Sequence, residues 1–256
     1  MDLWGRGYSD SPDLPHDSRL YSTQILLAIT SSPISWTPSG FSVIGYSLGG
    51  GICVDFAGNF PDLVKSVVLL APGGLIRPRH FGWLGKMMLA GVLSDSVLCW
   101  IARRRLKKSP SATTVINDKS KIVQAGKEDL VGQEIQGVDF DEVRLSKGRP
   151  GVTVAAAVQW QIAHHEGFVR SYVSSLQYAS ISGRGESWRK LRDRKDKVII
   201  FVGGIDAIIV KEELEEDVRE CLGEEAVEWR VFEGGHEFPI TKAGEVVNEL
   251  VGMWGL

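Results

Sequence analysis

Cysteine is scarce. Cys53, Cys99 and Cys221 are odd in number and far apart. They provide neither a disulfide framework nor a paired-thiol metal site, which points to a reducing compartment and an intracellular, cytoplasmic protein. Excess positive charge is also missing: the net charge is −3 and the isoelectric point near 6.0, so nucleic acid is not an expected partner. The first ten residues hold Asp2, Arg6 and Asp10 with no apolar run behind them, so no secretory leader is expected. The stretch Phe81–Ala102 has the length to cross a bilayer, but Lys86 and Asp95 lie inside it and the basic run Arg103–Lys108 follows. Charge inside a span is costly. A pair of helices in a soluble protein is therefore favoured over a spanning or interfacial segment, and membrane contact is not favoured. There is no internal repeat. A dinucleotide loop is excluded at "MDLWGRGYSD", because Asp10 stands where the third glycine of G-x-G-x-x-G belongs.

What is present is an ordinary globular composition over 256 residues, 43% hydrophobic and 24% charged. That suffices for one domain, or one domain with a large insertion. A helix is predicted over Asp17–Thr30 and a buried strand over Phe41–Ser47. A helix follows, closing before Pro61, and then a strand over Val64–Pro72. Strand, helix, strand at this spacing predicts a βαβ unit with parallel strands. The signal resumes with a strand over Lys197–Asp206, a helix over Lys211–Gly223, a strand over Ala226–Gly235 and a closing helix from Lys242. Between the two halves lie helices predicted over Trp83–Leu106 and Val154–Ala179, with a polar stretch, Lys107–Pro150, between them. Roughly 120 residues exceed any ordinary connection in such a unit. The insertion is read as a cap, since ligands of these sheets bind beyond the carboxyl ends of the strands. The expected division is 1–72 and 197–256 for an α/β core and 73–196 for a mainly helical cap.

The strongest chemical signal is "GYSLGG", Gly45–Gly50, between a predicted strand and a predicted helix. It matches G-x-S-x-G in the strand-turn-helix context that motif requires. Gly45 and Gly49 leave room for a sharp turn that lifts Ser47 above the sheet. The Leu48 N–H, at the positive end of the helix, would face a developing oxyanion. A serine needs a base. His16 and His80 lie in loops, and His164 and His165, adjacent on a helix, point apart and make a poor metal pair. His236 follows a strand, and Gly234 and Gly235 let its loop curl back over a site. Asp206, at the end of another strand, is the carboxylate to orient it. The order Ser47, Asp206, His236 is one of the known triad orders. No cofactor and no metal are called for.

These residues, with "DLWGRGYSD", "VKSVVLLAP", "VIIFVGGIDAIIV" and "EGGHEFP", make the chain resemble the α/β-hydrolase superfamily, in its capped lipase- and esterase-like branch. The resemblance implies the α/β-hydrolase fold, a mostly parallel sheet with a helical cap, and a cofactor-free serine hydrolase. Ser47, Asp206 and His236 would be its triad and Leu48 one oxyanion donor. A serine nucleophile sets it apart from the dehalogenase and epoxide-hydrolase branches, which attack with Asp. The superfamily also leads one to expect an earlier strand and a His-Gly loop carrying the second oxyanion donor. They do not precede "DLWGRGYSD", so the sequence looks N-terminally incomplete, with a longer natural protein as the favoured explanation. Loss of such a donor costs about 2.7–4 kcal/mol of transition-state stabilisation. A catalytically impaired hydrolase-like binding protein is therefore one alternative function; an acyltransferase or C–C bond hydrolase with the same triad is another. The expected partner is a small, apolar acyl substrate, with Trp83, Met87, Met88, Leu89, Trp100, Trp160 and Phe168 as candidate lining residues. Oligomeric state is not legible.

Overall fold

The computed structural model describes residues 1–82, 85, 93–107, 143–146 and 148–255. Among the described residues four parallel strands form the sheet: β1 (Phe41–Tyr46), β2 (Val64–Leu70), β3 (Val198–Gly203) and β4 (Val227–Phe232), in the order β1-β2-β3-β4. Each strand lies within a predicted one, and the predicted ends trail off into the turns that follow. The register aligns Tyr46 with Leu70 and Leu70 with Phe201, while Gly203 pairs with Phe232. The carboxyl ends therefore form one rim. β3 is buried along its whole length, as its run of Val, Ile and Phe requires of a strand covered on both faces.

Helices α1 (Ser18–Ser31) and α2 (Leu48–Asn59) flank β1 in sequence. Asp17 caps α1 by accepting from the Arg19 and Leu20 N–H groups at 2.9 and 3.1 Å, two of the donors a helix start leaves unpaired. α2 packs on β1, β2 and α1, and eight of its residues are buried. A short 3₁₀ turn, Pro78–His80, follows β2. The region between β2 and β3 then contains α3 (Asp95–Lys107), α4 (Val154–His164), α5 (Phe168–Tyr178) and α6 (Gly185–Arg189). After β3 come α7 (Lys211–Leu222), α8 (Phe238–Thr241) and α9 (Ala243–Trp254).

Two predictions change here. The helix expected over Val154–Ala179 is two helices, broken at His165–Gly167; the Phe168 N–H bonds back to the His165 carbonyl and Gly167 opens the second helix. Apolar spacing continues through the break, so periodicity alone did not reveal it. The helix expected over Trp83–Leu106 is interrupted: Leu93 and Ser94 are non-helical and the helix runs from Asp95; residues 83–84 and 86–92 lie outside the described residues, as does most of the polar stretch Lys107–Pro150. Among the described residues no helix is long and apolar enough to cross a membrane.

The main core runs through all four strands, α2, α6, α7, α8 and α9, with Phe56, Trp188, Phe201 and Phe238 wholly buried. A second, smaller cluster centres on Ile162, Phe168 and Val169, with Cys99, Ala102, Leu106 and Val158 packed around it.

Candidate active site

Gly45 is the penultimate residue of β1. A Cβ there would run into the Gly49 carbonyl and come within 2.7 Å of Cys53 Sγ, so only glycine lets α2 start this close to the strand. Ser47 takes up the turn with φ 51° and ψ −116°, a strained conformation for a residue with a side chain. The strain is held from outside. The Ser47 carbonyl accepts from Gly50 and Gly51 at 2.9 and 3.3 Å and from Gly73 at 2.8 Å, and the Ser47 N–H donates to the Leu70 carbonyl at 2.9 Å. Leu48, the next residue, opens α2, where the first N–H groups have no acceptor within the helix.

Beyond β4, Gly234 takes φ 121° and the loop turns back toward the rim. His236 Nε2 lies 2.9 Å from Ser47 Oγ, and His236 Nδ1 lies 2.9 Å from Asp206 Oδ2. The other Asp206 oxygen accepts from the Ile208 and Ile209 N–H groups at 2.8 and 2.9 Å. The Asp206 side chain has no exposed surface and His236 is 5% exposed. A carboxylate so enclosed, with both oxygens bonded, fixes the ring that it faces. The three residues singled out from the sequence thus form one chain of hydrogen bonds, although Ser47 and His236 are 189 positions apart.

The glycines beside these groups do more than loosen loops. A Cβ on Gly203 would meet the carbonyls of Gly234 and Gly235, the latter too close for any side chain, so the loops bearing Asp206 and His236 touch backbone to backbone. Gly49, by contrast, faces open space, which corrects the steric role expected for it. Gly50 and Gly51 carry that role instead: their missing side chains admit Pro72 and the Ser180 carbonyl. The sequence signal was available, as two further glycines directly after the motif.

Pro72 and Ser180 belong to the two ends of the region between β2 and β3. These ends pair with each other, Gly74 N–H to the Ile181 carbonyl at 2.7 Å and Arg184 N–H to the Gly74 carbonyl at 2.9 Å. Asp55, buried on α2, accepts from Ser180 Oγ and pairs with Arg184 at 3.2 Å. Arg184 also reaches Ser18 Oγ at 2.8 Å. The neck of the helical region is therefore fastened to the helix that begins at Leu48. No sequence motif marks Asp55 or Arg184 for this.

The remaining histidines lie elsewhere. His16 is buried beside Tyr21; His80 Nε2 meets Glu213 at 2.7 Å; His164 and His165 contact the carbonyls of Trp160 and Ser9 at 3.0 and 2.9 Å. Among the described residues no group of three or more His, Cys, Asp or Glu side chains could hold a metal ion. Of the expected lining residues, Trp83, Met87, Met88 and Leu89 fall outside the described residues. Trp100 and Trp160 are exposed, and Phe168 is buried in the smaller cluster.

A family model described as alpha/beta hydrolase fold matches residues 38–243. An uncharacterized protein of Mycobacterium tuberculosis and its counterpart in Mycobacterium bovis are 32% identical over 76 residues, which is 30% of this chain and 21% of theirs. The match thus spans well under a third of those relatives' length. Among solved structures, an alpha/beta hydrolase enzyme from a Medee basin deep-sea metagenome library aligns with a TM-score of 0.62 and 13% identity over 100% of this chain and 78% of its own. An esterase from Exiguobacterium antarcticum aligns at 0.57 and 15%, over 98% and 79%. A meta-cleavage product hydrolase from Pseudomonas fluorescens aligns at 0.59 and 14%, over 99% and 78%. At such identities the structural likeness speaks for the fold alone.

Proposed function

The chain belongs to the α/β-hydrolase fold family, and from that premise we propose that it is a serine hydrolase of carboxylic esters or related acyl substrates. The observation that carries this is the unbroken contact from Asp206 through His236 to Ser47, at 2.9 Å for each step, ending on a strained residue at a helix start. Ser47 Oγ attacks the carbonyl carbon while His236 Nε2 takes its proton. Asp206 holds Nδ1–H in place and stabilises the imidazolium. The Leu48 N–H donates to the oxyanion of the tetrahedral intermediate. The imidazolium then protonates the leaving alcohol, and the acyl group stays on Ser47. Water, deprotonated by His236, attacks this ester; collapse releases the acid and returns the proton to Ser47.

The helices between β2 and β3 serve in this proposal as a cap over the rim, with residues 1–72 and 197–256 as the core. A cytoplasmic setting is supported by three free cysteines, two of them buried. The substrate is small and carries an apolar acyl group.

The test requires no knowledge of the substrate. A fluorophosphonate probe should label the wild-type protein and leave Ser47→Ala unlabelled. Failure to label the folded wild-type chain, or equal labelling of both, overturns the proposal.

A further inference from the structure

Tyr46 precedes Ser47 at the end of β1, and its side chain reaches across the rim to the loop after β4. Its hydroxyl donates to the His236 carbonyl at 2.9 Å, a contact between residues 190 positions apart. Its ring lies 5.2 Å from the imidazole, centroid to centroid, at an interplanar angle of 37°. Two whole strands, β2 and β3, separate the strands behind these residues. A single side chain thus ties the strand end bearing the serine to the loop bearing the histidine.

The loop has need of such a tie. Gly234 has φ 121°, and its carbonyl accepts from the Ile205 N–H at 3.1 Å, which ties the loop to the one bearing Asp206. The Gly235 N–H to Glu237 Oε1 bond at 3.0 Å and the Phe238 N–H to Gly235 carbonyl bond at 3.2 Å are local. These bonds set the loop against β3 and against itself, whereas the Tyr46 hydroxyl sets it against the end of β1. Nucleophilic catalysis needs the serine–histidine distance to be set within a fraction of an ångström.

We propose that Tyr46 is a positioning residue: its hydroxyl holds the His236 main chain, and so the imidazole, in register with Ser47 and Asp206. The proposal rests on the serine-hydrolase reading. Tyr46→Phe is the informative change, since it keeps the ring and removes only the bond. One neutral hydrogen bond corresponds to about a three- to tenfold effect.

The experiment follows the pH dependence of fluorophosphonate labelling in wild type and Tyr46→Phe, with the far-downfield proton resonance of the His236 Nδ1–H recorded by NMR on both. Labelling of the variant should slow about three- to tenfold. A histidine that wanders loses part of its contact with the Asp206 carboxylate, which favours the charged ring. The acid limb of the profile should therefore move to lower pH, and the resonance should broaden. Tyr46→Phe with wild-type rate, limb and resonance overturns the proposal. Should Ser47→Ala label like wild type, the hydrolase reading fails by itself. The resonance alone then decides Tyr46: broadened in the variant supports it, unchanged refutes it.

Discussion

A methyl group at Gly45 would have to displace the Gly49 carbonyl and Cys53 Sγ, whereas one at Gly49 would meet nothing within 4 Å. Gly45→Ala should therefore cost about 1–3 kcal/mol as an overpacked site. Gly49→Ala should raise stability by about 0.5–1 kcal/mol, because alanine loses less backbone freedom in a helix. Urea unfolding of the two variants checks the pair, and equal effects would show that the motif's glycines act alike. At this scale much was legible. Ser47, Asp206 and His236 could be named because each sits where a strand runs out beside glycine. Tyr46, Asp55 and Arg184 could not, since their partners lie 190, 125 and 129 positions away and no local pattern encodes such distances.

Among the elements, the opening stretch depends most on its tertiary partners. "DLWGRGYSD" forms two turns, with φ 75° at Gly5 and 55° at Gly7, docked on α4 and α5. The Gly7 N–H donates to Gln161 at 2.7 Å, and Arg6 reaches Ser171 and Ser175 while lying over the Phe168 and Tyr172 rings. The docking carries His16 into the interior, 1% exposed, with its N–H on Ser174 at 2.9 Å. Burial pushes the His16 imidazole below its ordinary pKa, and the Arg6 guanidinium adds to this; the Leu14 carbonyl and Asp17 oppose more weakly. The unfolded chain therefore binds the proton more readily than the folded one. Stability should fall as pH drops below about 6.5, at up to about 1.4 kcal/mol per pH unit, until the folded ring also protonates. Asp17 and Glu213, whose carboxyls are held below their ordinary range, stabilise above that range and lose their contribution only at lower pH. Urea midpoints at pH 7.5 and 5.5 should thus diverge less in His16→Leu than in wild type; equal slopes would refute the assignment. The helix break at His165–Gly167 and this docking share one cause of illegibility. Both depend on which helix faces which, and an apolar period reports only that some face is buried.

For the molecule as a whole, the unequal size of the two apolar clusters matters most. The larger one unites the sheet with α2, α6, α7, α8 and α9, while the smaller holds α3, α4 and α5 through Ile162, Phe168 and Val169. The sheet and its order of elements were legible because buried parallel strands read as unbroken runs of Val, Ile and Leu. The helical region was legible as helices between the two halves, but not in its breaks or its packing. It is fastened to the rest through the neck at Asp55, Ser180 and Arg184 and through Tyr21 on α1, whose hydroxyl meets Ser175 Oγ at 2.7 Å; regions with fewer buried contacts open at lower free energy. Phe168→Ala should remove about 3–5 kcal/mol from the smaller cluster. Backbone hydrogen exchange should then quicken through 95–107 and 154–178, while 64–70 and 198–203 keep wild-type protection. Fluorophosphonate labelling tests the same independence at the rim: Ser47, Asp206 and His236 stand on strand ends and their loops, so the variant should still label. Loss of protection spreading into β2 and β3 would mean that the two clusters unfold as one unit, and that the neck transmits disorder from the helices to the nucleophile.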